Sequence, residues 1–205
     1  MNVRIFSRQV EEAIGYELVF LKGSNDGKSL FANTAVISFY DPPDRRGLLE
    51  NYKPVDYSAV TKRLFQIALH DIDIAVLKEF NLDFKSYFTE ADELAEFIYD
   101  VKQDGLDIIC QCECGQSRSA GCAAAIREHF YGDGIKIFTD YRYYPNQLVY
   151  NKVYDALEMY KKKSTSNPFY YHVSKKFLFS QFDKNNGGGM FPMPLRWCTS
   201  PALRI

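Results

Sequence analysis

Hydrophobic positions occur along this chain both as short continuous runs and as one-sided stripes. The run "TAVISFY" (34–40) is apolar and β-branched, which predicts a buried strand. Two prolines and a glycine in "DPPDRRG" (41–47) end it, because proline cannot continue a central strand. The segments "RLFQIALHDID" (63–73) and "LDIICQC" (106–112) predict two more strands, and the first of them leads into two aspartates.

Three segments carry helical patterns. In "TEADELAEFIYDVKQDG" (89–105) the apolar residues share one face, with Thr89 as a candidate N-cap and Gly105 as a candidate C-terminal stop. The alanine-rich "SAGCAAAIREHF" (119–130) predicts a second helix. A last long helix is predicted over 143–163, beginning near a Pro-Asn pair.

Strands that alternate with helices predict an α/β fold with a central, mostly parallel sheet flanked by helices. We assign residues 1–163 to this domain. Residues 164–205 include a glycine-rich stretch and an irregular tail, so we expect a C-terminal extension and not a separate domain.

Composition narrows the class of protein. The 205 residues are 46% apolar and 25% charged, which is typical of a globular chain. The net charge of −1 gives no indication of a nucleic-acid partner or a membrane partner. The sequence has no run of 18 apolar residues, and its first residues lack the apolar core of a signal peptide, so we expect a cytoplasmic protein.

Four of the five cysteines, at positions 110, 112, 114 and 122, lie close together. A secreted disulfide framework would spread them out, so metal binding or catalysis explains the cluster better. The spacing C-x-C-x-C matches no standard metal site, although a zinc or iron–sulfur cluster stays an alternative. Cys110 and Cys122 are expected in the core, and Cys114 in a loop.

Cys112 ends a predicted strand, and a helix is predicted to begin at about Arg118. A strand, a glycine-containing loop and a helix start form an anion site, because backbone N–H groups and the helix N-terminus face the same point. Gly115 lies midway and Ser119 follows the arginine, which gives the pattern C-x-x-G-x-x-R-S.

This pattern resembles the signature H-C-x-x-G-x-x-R-[ST] of the cysteine-dependent protein tyrosine and dual-specificity phosphatases. Gln111 stands where the family has its histidine. The resemblance covers about residues 30–160 and includes "SFYDPPD" and "YRYYPNQLVYNKVYDAL", which look like small bacterial and viral members. It implies the dual-specificity-phosphatase-like fold and hydrolysis of phosphomonoesters through a phosphocysteine, with no metal or cofactor.

The resemblance also implies roles for the residues of the motif. Cys112 attacks phosphorus as a thiolate, a form that makes up only about 3% of a free cysteine at pH 7. Arg118 neutralises the phosphate and Ser119 assists the departing thiolate. The substrate-binding residues are Glu113, Cys114, Gly115, Gln116, Ser117 and Arg118. Because glutamine carries no charge, Gln111 predicts a smaller thiolate fraction and a slower enzyme.

A carboxylic acid must protonate the leaving oxygen, a step worth about 10²–10⁴ in rate. In the family this acid follows a strand upstream of the cysteine. Asp71 is therefore our first candidate and Asp73 our second, while His70 is a weaker one. Both aspartates have the alternative of capping a turn.

Two further expectations concern the substrate. Tyr141, Arg142 and Tyr143 are candidates for a pocket wall, with the alternative of a surface loop with packed tyrosines. The leading substrates are phosphotyrosine proteins, with phosphoserine and phosphothreonine as further candidates. A phosphoinositide, an RNA 5′ end, or a weakly catalytic module that binds phosphoresidues are the alternatives. Glu113 and the lack of a lysine in the loop disfavour a polyphosphate.

Overall fold

A computed structural model of the chain describes residues 1–8, 31, 33–43, 53–57 and 61–166. By internal contacts the chain divides into Met1–Lys163 and Ser164–Ile205. The predicted extension lies outside the described residues apart from its first three, so its nature stays a prediction.

Four strands and five helices occur in these ranges. The strands are β1 (Val3–Ser7), β2 (Thr34–Tyr40), β3 (Leu64–Ala68) and β4 (Asp107–Cys112). The helices are a 3-10 helix (Ile74–Phe80), α1 (Ala91–Gln103), α2 (Arg118–Tyr131), α3 (Ile135–Phe138) and α4 (Gln147–Ser166). The predicted strands and helices occur, but β3 ends at Ala68 and not at 73, and α4 begins at Gln147 and not at 143. The strand β1, the 3-10 helix and α3 were not predicted.

The strands form one sheet in the order β1-β4-β2-β3, and every pair is parallel. Cys110 on β4 lies opposite Ile5 on one side and Ile37 on the other, so β4 is central. This arrangement confirms the predicted α/β class. It also brings the carboxyl ends of the strands to one edge, where open α/β sheets bind ligands.

The side chains of β4 alternate between two apolar clusters. Ile108, Cys110 and Cys112 face a large core to which α1, α2 and α4 contribute. Ile109 faces the opposite side, where Tyr57 and other residues cover the sheet. The strand that carries the cysteine motif is therefore held on both faces.

The ends of α1 test two capping predictions. Thr89 as N-cap is wrong: the helix begins at Ala91, and the Thr89 hydroxyl bonds instead to the Glu90 carboxylate at 3.0 Å. The predicted stop at Gly105 is confirmed. Its N–H donates to the Lys102 carbonyl, and the following N–H donates to the Val101 carbonyl, the bond pair of a Schellman motif.

None of the helices in the described part of the chain is both long enough and apolar enough to cross a bilayer.

Candidate active site

The cysteine motif lies at the carboxyl edge of the sheet, between β4 and α2. Cys112 is the last residue of β4 and is 1% exposed. Residues 113–117, here called the cysteine loop, connect it to Arg118, the first residue of α2. The strand, loop and helix start predicted from the sequence are confirmed, and the thiol lies at the buried base of the loop.

The cysteine loop turns sharply at Gly115, where φ is +67°. A Cβ atom there would lie 2.7 Å from the backbone nitrogen of Ser7 and 2.8 Å from the carbonyl carbon of Phe6. Only glycine allows both the left-handed backbone and this close approach to β1. The shape of the cysteine loop therefore depends on β1, which lies far from it in the sequence.

Carbonyl groups of the loop are held by neighbouring segments. The Glu113 carbonyl accepts from the Arg8 N–H at 3.1 Å, and the Gln116 carbonyl accepts from the Tyr144 N–H at 2.9 Å. The N–H groups of Cys114 to Ser117 donate to no backbone carbonyl among the described residues. N–H groups of a loop that have no backbone acceptor can bind an anion, as in other backbone anion sites.

The Arg118 side chain is 2% exposed and is oriented by two acceptors. Its Nη1 donates to Oδ1 of Asp41 at 2.8 Å and to the Leu69 carbonyl at 2.6 Å. Its Nε has no hydrogen-bond partner within the described residues and lies 3.6 Å from Oδ2 of Asp71. A buried donor without an acceptor is costly, so this Nε marks a place for an anionic ligand.

The hydroxyl of Ser119 lies 3.1 Å from the Sγ of Cys112. Ser119 is fully buried in the first turn of α2. A hydroxyl at this distance can donate to a thiolate, and the helix N-terminus adds partial positive charge in the same place. Both features stabilise an anionic sulfur.

The two candidate aspartates occupy different positions. Oδ1 of Asp71 accepts from the Ser117 hydroxyl at 2.6 Å, which places Asp71 against the cysteine loop. Oδ1 of Asp73 instead accepts from the Ala75 N–H at 3.0 Å and caps the 3-10 helix. The structure thus brings Asp71 to the site and gives Asp73 a local capping contact.

His70 has other contacts. Its ring packs against Phe80 with centroids 5.1 Å apart, and its carbonyl accepts from the Tyr87 hydroxyl at 2.8 Å. Burial raises the pKa of Tyr87 well above its ordinary value, with a smaller contribution from the charge of Asp71. Tyr87 is therefore a neutral hydroxyl that fixes the backbone just before Asp71.

Gln111 lies one residue before Cys112, on the opposite face of β4, and is 2% exposed. Its Oε1 accepts hydrogen bonds from the Ser38 hydroxyl at 2.7 Å and from the Tyr57 hydroxyl at 2.9 Å. These two bonds satisfy a buried oxygen and fix the carboxyl end of β4. The sequence did not indicate either partner.

The three other described cysteines differ in their exposure to solvent. Cys110 and Cys122 are completely buried, and burial raises the pKa of the Cys110 thiol well above its ordinary value, with a smaller contribution from the neighbouring Cys122. Cys114 is exposed. Within the described ranges, no group of three or more His, Cys, Asp or Glu side chains is placed to hold a metal ion.

The tyrosine-rich segment after α3 is held by an ion pair of its own. Nε of Arg142 donates to both carboxylate oxygens of Asp140, at 2.9 and 3.1 Å, and this pairing lowers the pKa of Asp140 to about 2. Arg142, Tyr143 and Asp140 line a cavity of about 380 Å³ beside β1. Tyr141 is 89% exposed. These contacts agree better with the surface-loop alternative than with a phosphate contact from Arg142.

Two residues at the site were not assigned a role from the sequence, Asp41 and Asn146. Asp41 is the first residue after the buried strand β2, and Asn146 precedes α4. A polar residue directly after a parallel strand lies at the edge where ligands bind, and this signal would have indicated Asp41.

No family model matches the sequence, and no curated protein matches it. Among solved structures, the crystal structure of PTPMT1 aligns at 11% identity over 81% of this chain and 96% of that chain, with a TM-score of 0.45. PTPMT1 in complex with PI(5)P aligns at 12% identity over 80% and 94%, with a TM-score of 0.44. The Cydia pomonella PTP-2 phosphatase aligns at 11% identity over 76% and 85%, with a TM-score of 0.43. These likenesses concern the fold alone.

Proposed function

We propose that this protein hydrolyses phosphomonoesters through a phosphocysteine intermediate on Cys112. The observation that carries the proposal is the placement of Cys112, Ser119 and Arg118 at the base of one loop. The thiol lies 3.1 Å from a hydroxyl, and the buried arginine has an Nε without a hydrogen-bond partner among the described residues. A phosphate dianion supplies the acceptor that this nitrogen lacks.

In the first half of the reaction the Cys112 thiolate attacks phosphorus, so that an S–P bond forms and the P–O bond to the leaving group breaks. The N–H groups of the cysteine loop and the Arg118 guanidinium bind the three equatorial oxygens, over which the negative charge of the transferring phosphoryl group is spread in the transition state. The proton on Asp71 moves to the leaving oxygen. The products are an alcohol or phenol, the phosphocysteine and the Asp71 carboxylate.

In the second half water attacks the phosphocysteine. The Asp71 carboxylate accepts a proton from this water as the O–P bond forms and the S–P bond breaks. The Ser119 hydroxyl donates to the sulfur as it departs. Inorganic phosphate leaves, and the thiolate and the protonated Asp71 are restored.

Phosphotyrosine in proteins is the substrate class that we infer for this site. Cys112 is 1% exposed, which favours a phosphate that projects on a long, narrow side chain. The backbone N–H of Tyr144 donates to the Gln116 carbonyl of the cysteine loop, and the residue is 75% exposed, so its aromatic side chain is a candidate contact for a phenyl ring. The loop itself contains Glu113 and no lysine, which disfavours a second phosphate close to the first.

Hydrolysis of p-nitrophenyl phosphate in the presence of EDTA tests the reaction. We expect turnover by the wild type, none by Cys112→Ser, and at least a tenfold loss in Asp71→Asn. Asp73→Asn is the matched control. Asp73 lies two residues after Asp71, but its side chain caps the 3-10 helix, so this variant should retain most of the activity. No turnover with vanadate still bound would indicate a binding module, and neither turnover nor binding would overturn the proposal.

A second assay compares substrates at equal concentration. We expect kcat/KM for phosphotyrosine peptides to exceed the values for phosphoserine and phosphothreonine peptides, phosphoinositides and 5′-phosphorylated RNA. Preference for a phosphoinositide or for RNA would retain the reaction and contradict the inferred substrate class.

A further inference from the structure

Asn146 stands directly before α4, where the loop that contains Asp71 meets the cysteine loop. It is 9% exposed, and all of its side-chain polar atoms have partners. Its Nδ2 donates to Oδ1 of Asp71 at 3.0 Å and to the Ile72 carbonyl at 3.0 Å. Its Oδ1 accepts from the Val149 N–H at 3.0 Å and so caps α4.

The backbone of Asn146 is fixed to the cysteine loop and to α2. Its N–H donates to the Ser117 carbonyl at 3.1 Å. A Cβ atom at Gly121 on α2 would lie 2.5 Å from the Asn146 carbonyl oxygen, so a glycine is needed at that point for the close approach. One residue therefore joins the Asp71 loop, the cysteine loop and α4.

The two oxygens of Asp71 have different surroundings as a result. Oδ1 accepts from the Ser117 hydroxyl at 2.6 Å and from Asn146, which occupies both of its lone pairs. A proton on Oδ1 would oppose these two donors, so the protonated form of the acid carries its proton on Oδ2. Oδ2 lies 3.6 Å from Nε of Arg118, at the side where a phosphate is expected.

We propose that Asn146 is a positioning residue that makes Oδ2 the proton-delivering atom of Asp71. This inference rests on the proposed function, because it assigns a geometry to the acid of that reaction. As the P–O bond breaks, the proton on Oδ2 passes to the leaving oxygen. The charge left on the carboxylate is then shared with Oδ1, which keeps the hydrogen bonds from Ser117 and Asn146.

Asn146→Ser separates this role from helix capping. A serine hydroxyl at this position can still accept from the Val149 N–H, so α4 keeps its cap, but both Nδ2 bonds are lost. Asn146→Asp is a second variant that keeps the capping oxygen and places a carboxylate oxygen against Oδ1 of Asp71. Thermal melting of each variant reports whether α4 remains folded.

The readout is the dependence of kcat/KM on the acidity of the leaving phenol, measured with a series of aryl phosphates. Poor leaving groups need the proton and good ones do not. We expect Asn146→Ser to lower kcat/KM about 10- to 100-fold for phenyl phosphate and less than about threefold for the most acidic phenols. Asp73→Ala removes the cap of the 3-10 helix that follows Asp71. It should lower kcat/KM only slightly, and by the same factor for all substrates.

A double variant completes the test. In the Asp71→Asn background Asn146→Ser should cause little further loss for phenyl phosphate, because the acid on which it acts is absent. Equal losses for all leaving groups in Asn146→Ser, or full additivity with Asp71→Asn, would overturn the inference while the proposed function stands. If the loss of kcat/KM caused by Asp71→Asn is the same for all leaving groups, the assignment of the acid fails and this inference fails with it.

Discussion

Nη1 of Arg118 donates a 2.8 Å hydrogen bond to Oδ1 of Asp41, a residue 77 positions earlier in the chain. The arginine is 2% exposed, so this carboxylate balances a charge that has little access to water. With Nη1 held by Asp41 and by the Leu69 carbonyl, the orientation of the guanidinium plane is set before any ligand binds. Preorganisation of this kind lowers the cost of binding an anion.

Replacement of Asp41 should therefore weaken phosphate binding, and two substitutions should do so to different extents. Asp41→Asn keeps an oxygen acceptor but removes the charge, and Asp41→Ala removes both. A hydrogen bond to a charged group contributes about 1.5–3 kcal/mol, so we expect kcat/KM to fall about 10- to 100-fold in the alanine variant and less in the asparagine variant. Steady-state kinetics and vanadate inhibition measure the effect. Equal kcat/KM in Asp41→Ala and the wild type would show that Arg118 keeps its orientation without the carboxylate.

Ser119→Ala should slow the breakdown of the phosphocysteine more than its formation. The hydroxyl lies 3.1 Å from Sγ and stabilises the sulfur as the S–P bond breaks. Rapid mixing with p-nitrophenyl phosphate should then give a burst of nitrophenol close to one equivalent per enzyme, followed by slow turnover. Ser119→Thr retains a hydroxyl and should restore part of the steady rate. Slow turnover in Ser119→Ala without a burst would place the loss in the first step.

Gly115→Ala tests the shape of the cysteine loop against a matched control. Gly115 and Gly105 both have positive φ, +67° and +70°, but a Cβ atom meets the Phe6–Ser7 backbone at the first and nothing within 4 Å at the second. We expect Gly105→Ala to lose about 1 kcal/mol of unfolding free energy from backbone strain alone, and Gly115→Ala to lose more. Urea unfolding measures both. Only Gly115→Ala should also lose activity, and a fully active Gly115→Ala enzyme would contradict the described loop geometry.

A buried histidine far from the site should make stability depend on pH. The side chain of His129 is 1% exposed and lies between the Glu158 carboxylate and the Tyr99 hydroxyl, each at 2.7 Å. Burial lowers the pKa of His129 below its ordinary value of 6.5, against a raising effect of Glu158. The unfolded chain then binds more protons than the folded one, so this contribution is present above about pH 6.5 and is lost as the pH falls through the lowered pKa.

Urea midpoints between pH 5 and 7.5 should therefore fall towards acid in the wild type and change less in His129→Gln. Glu158→Gln removes the group that raises the pKa of His129. The urea midpoint of this variant should therefore also fall towards acid, and the fall should extend to a lower pH than in the wild type. Identical pH profiles for the wild type and His129→Gln would exclude His129 as the source.

Most of the fold could be predicted because its signals are local. The apolar run at 34–40 corresponds to β2 at the same bounds, and the alanine-rich segment corresponds to α2. The five residues of β1 were missed because each is only half-buried, so they form no marked apolar run. Thr89 was wrong as a cap because an adjacent glutamate binds its hydroxyl.

The site was predictable in part for the same reason. Cys112, Gly115, Arg118 and Ser119 lie within eight positions, and the order of strand, loop and helix is visible in the sequence. The partners of Gln111, at separations of 73 and 54 positions, depend on strand order and register. One sequence contains no direct signal of which distant strands become neighbours, so these contacts required the structure.

The residues around Cys112 come from separate stretches of the chain, with Asp41, Asp71 and Asn146 joining only at the carboxyl edge of the parallel sheet. Contacts between distant positions form late during folding, because long loops must close before these contacts contribute. A refolding chain should thus recover its helical circular dichroism before it recovers turnover. In this protein the return of catalysis would report the final step of assembly and would distinguish a compact intermediate from the native state.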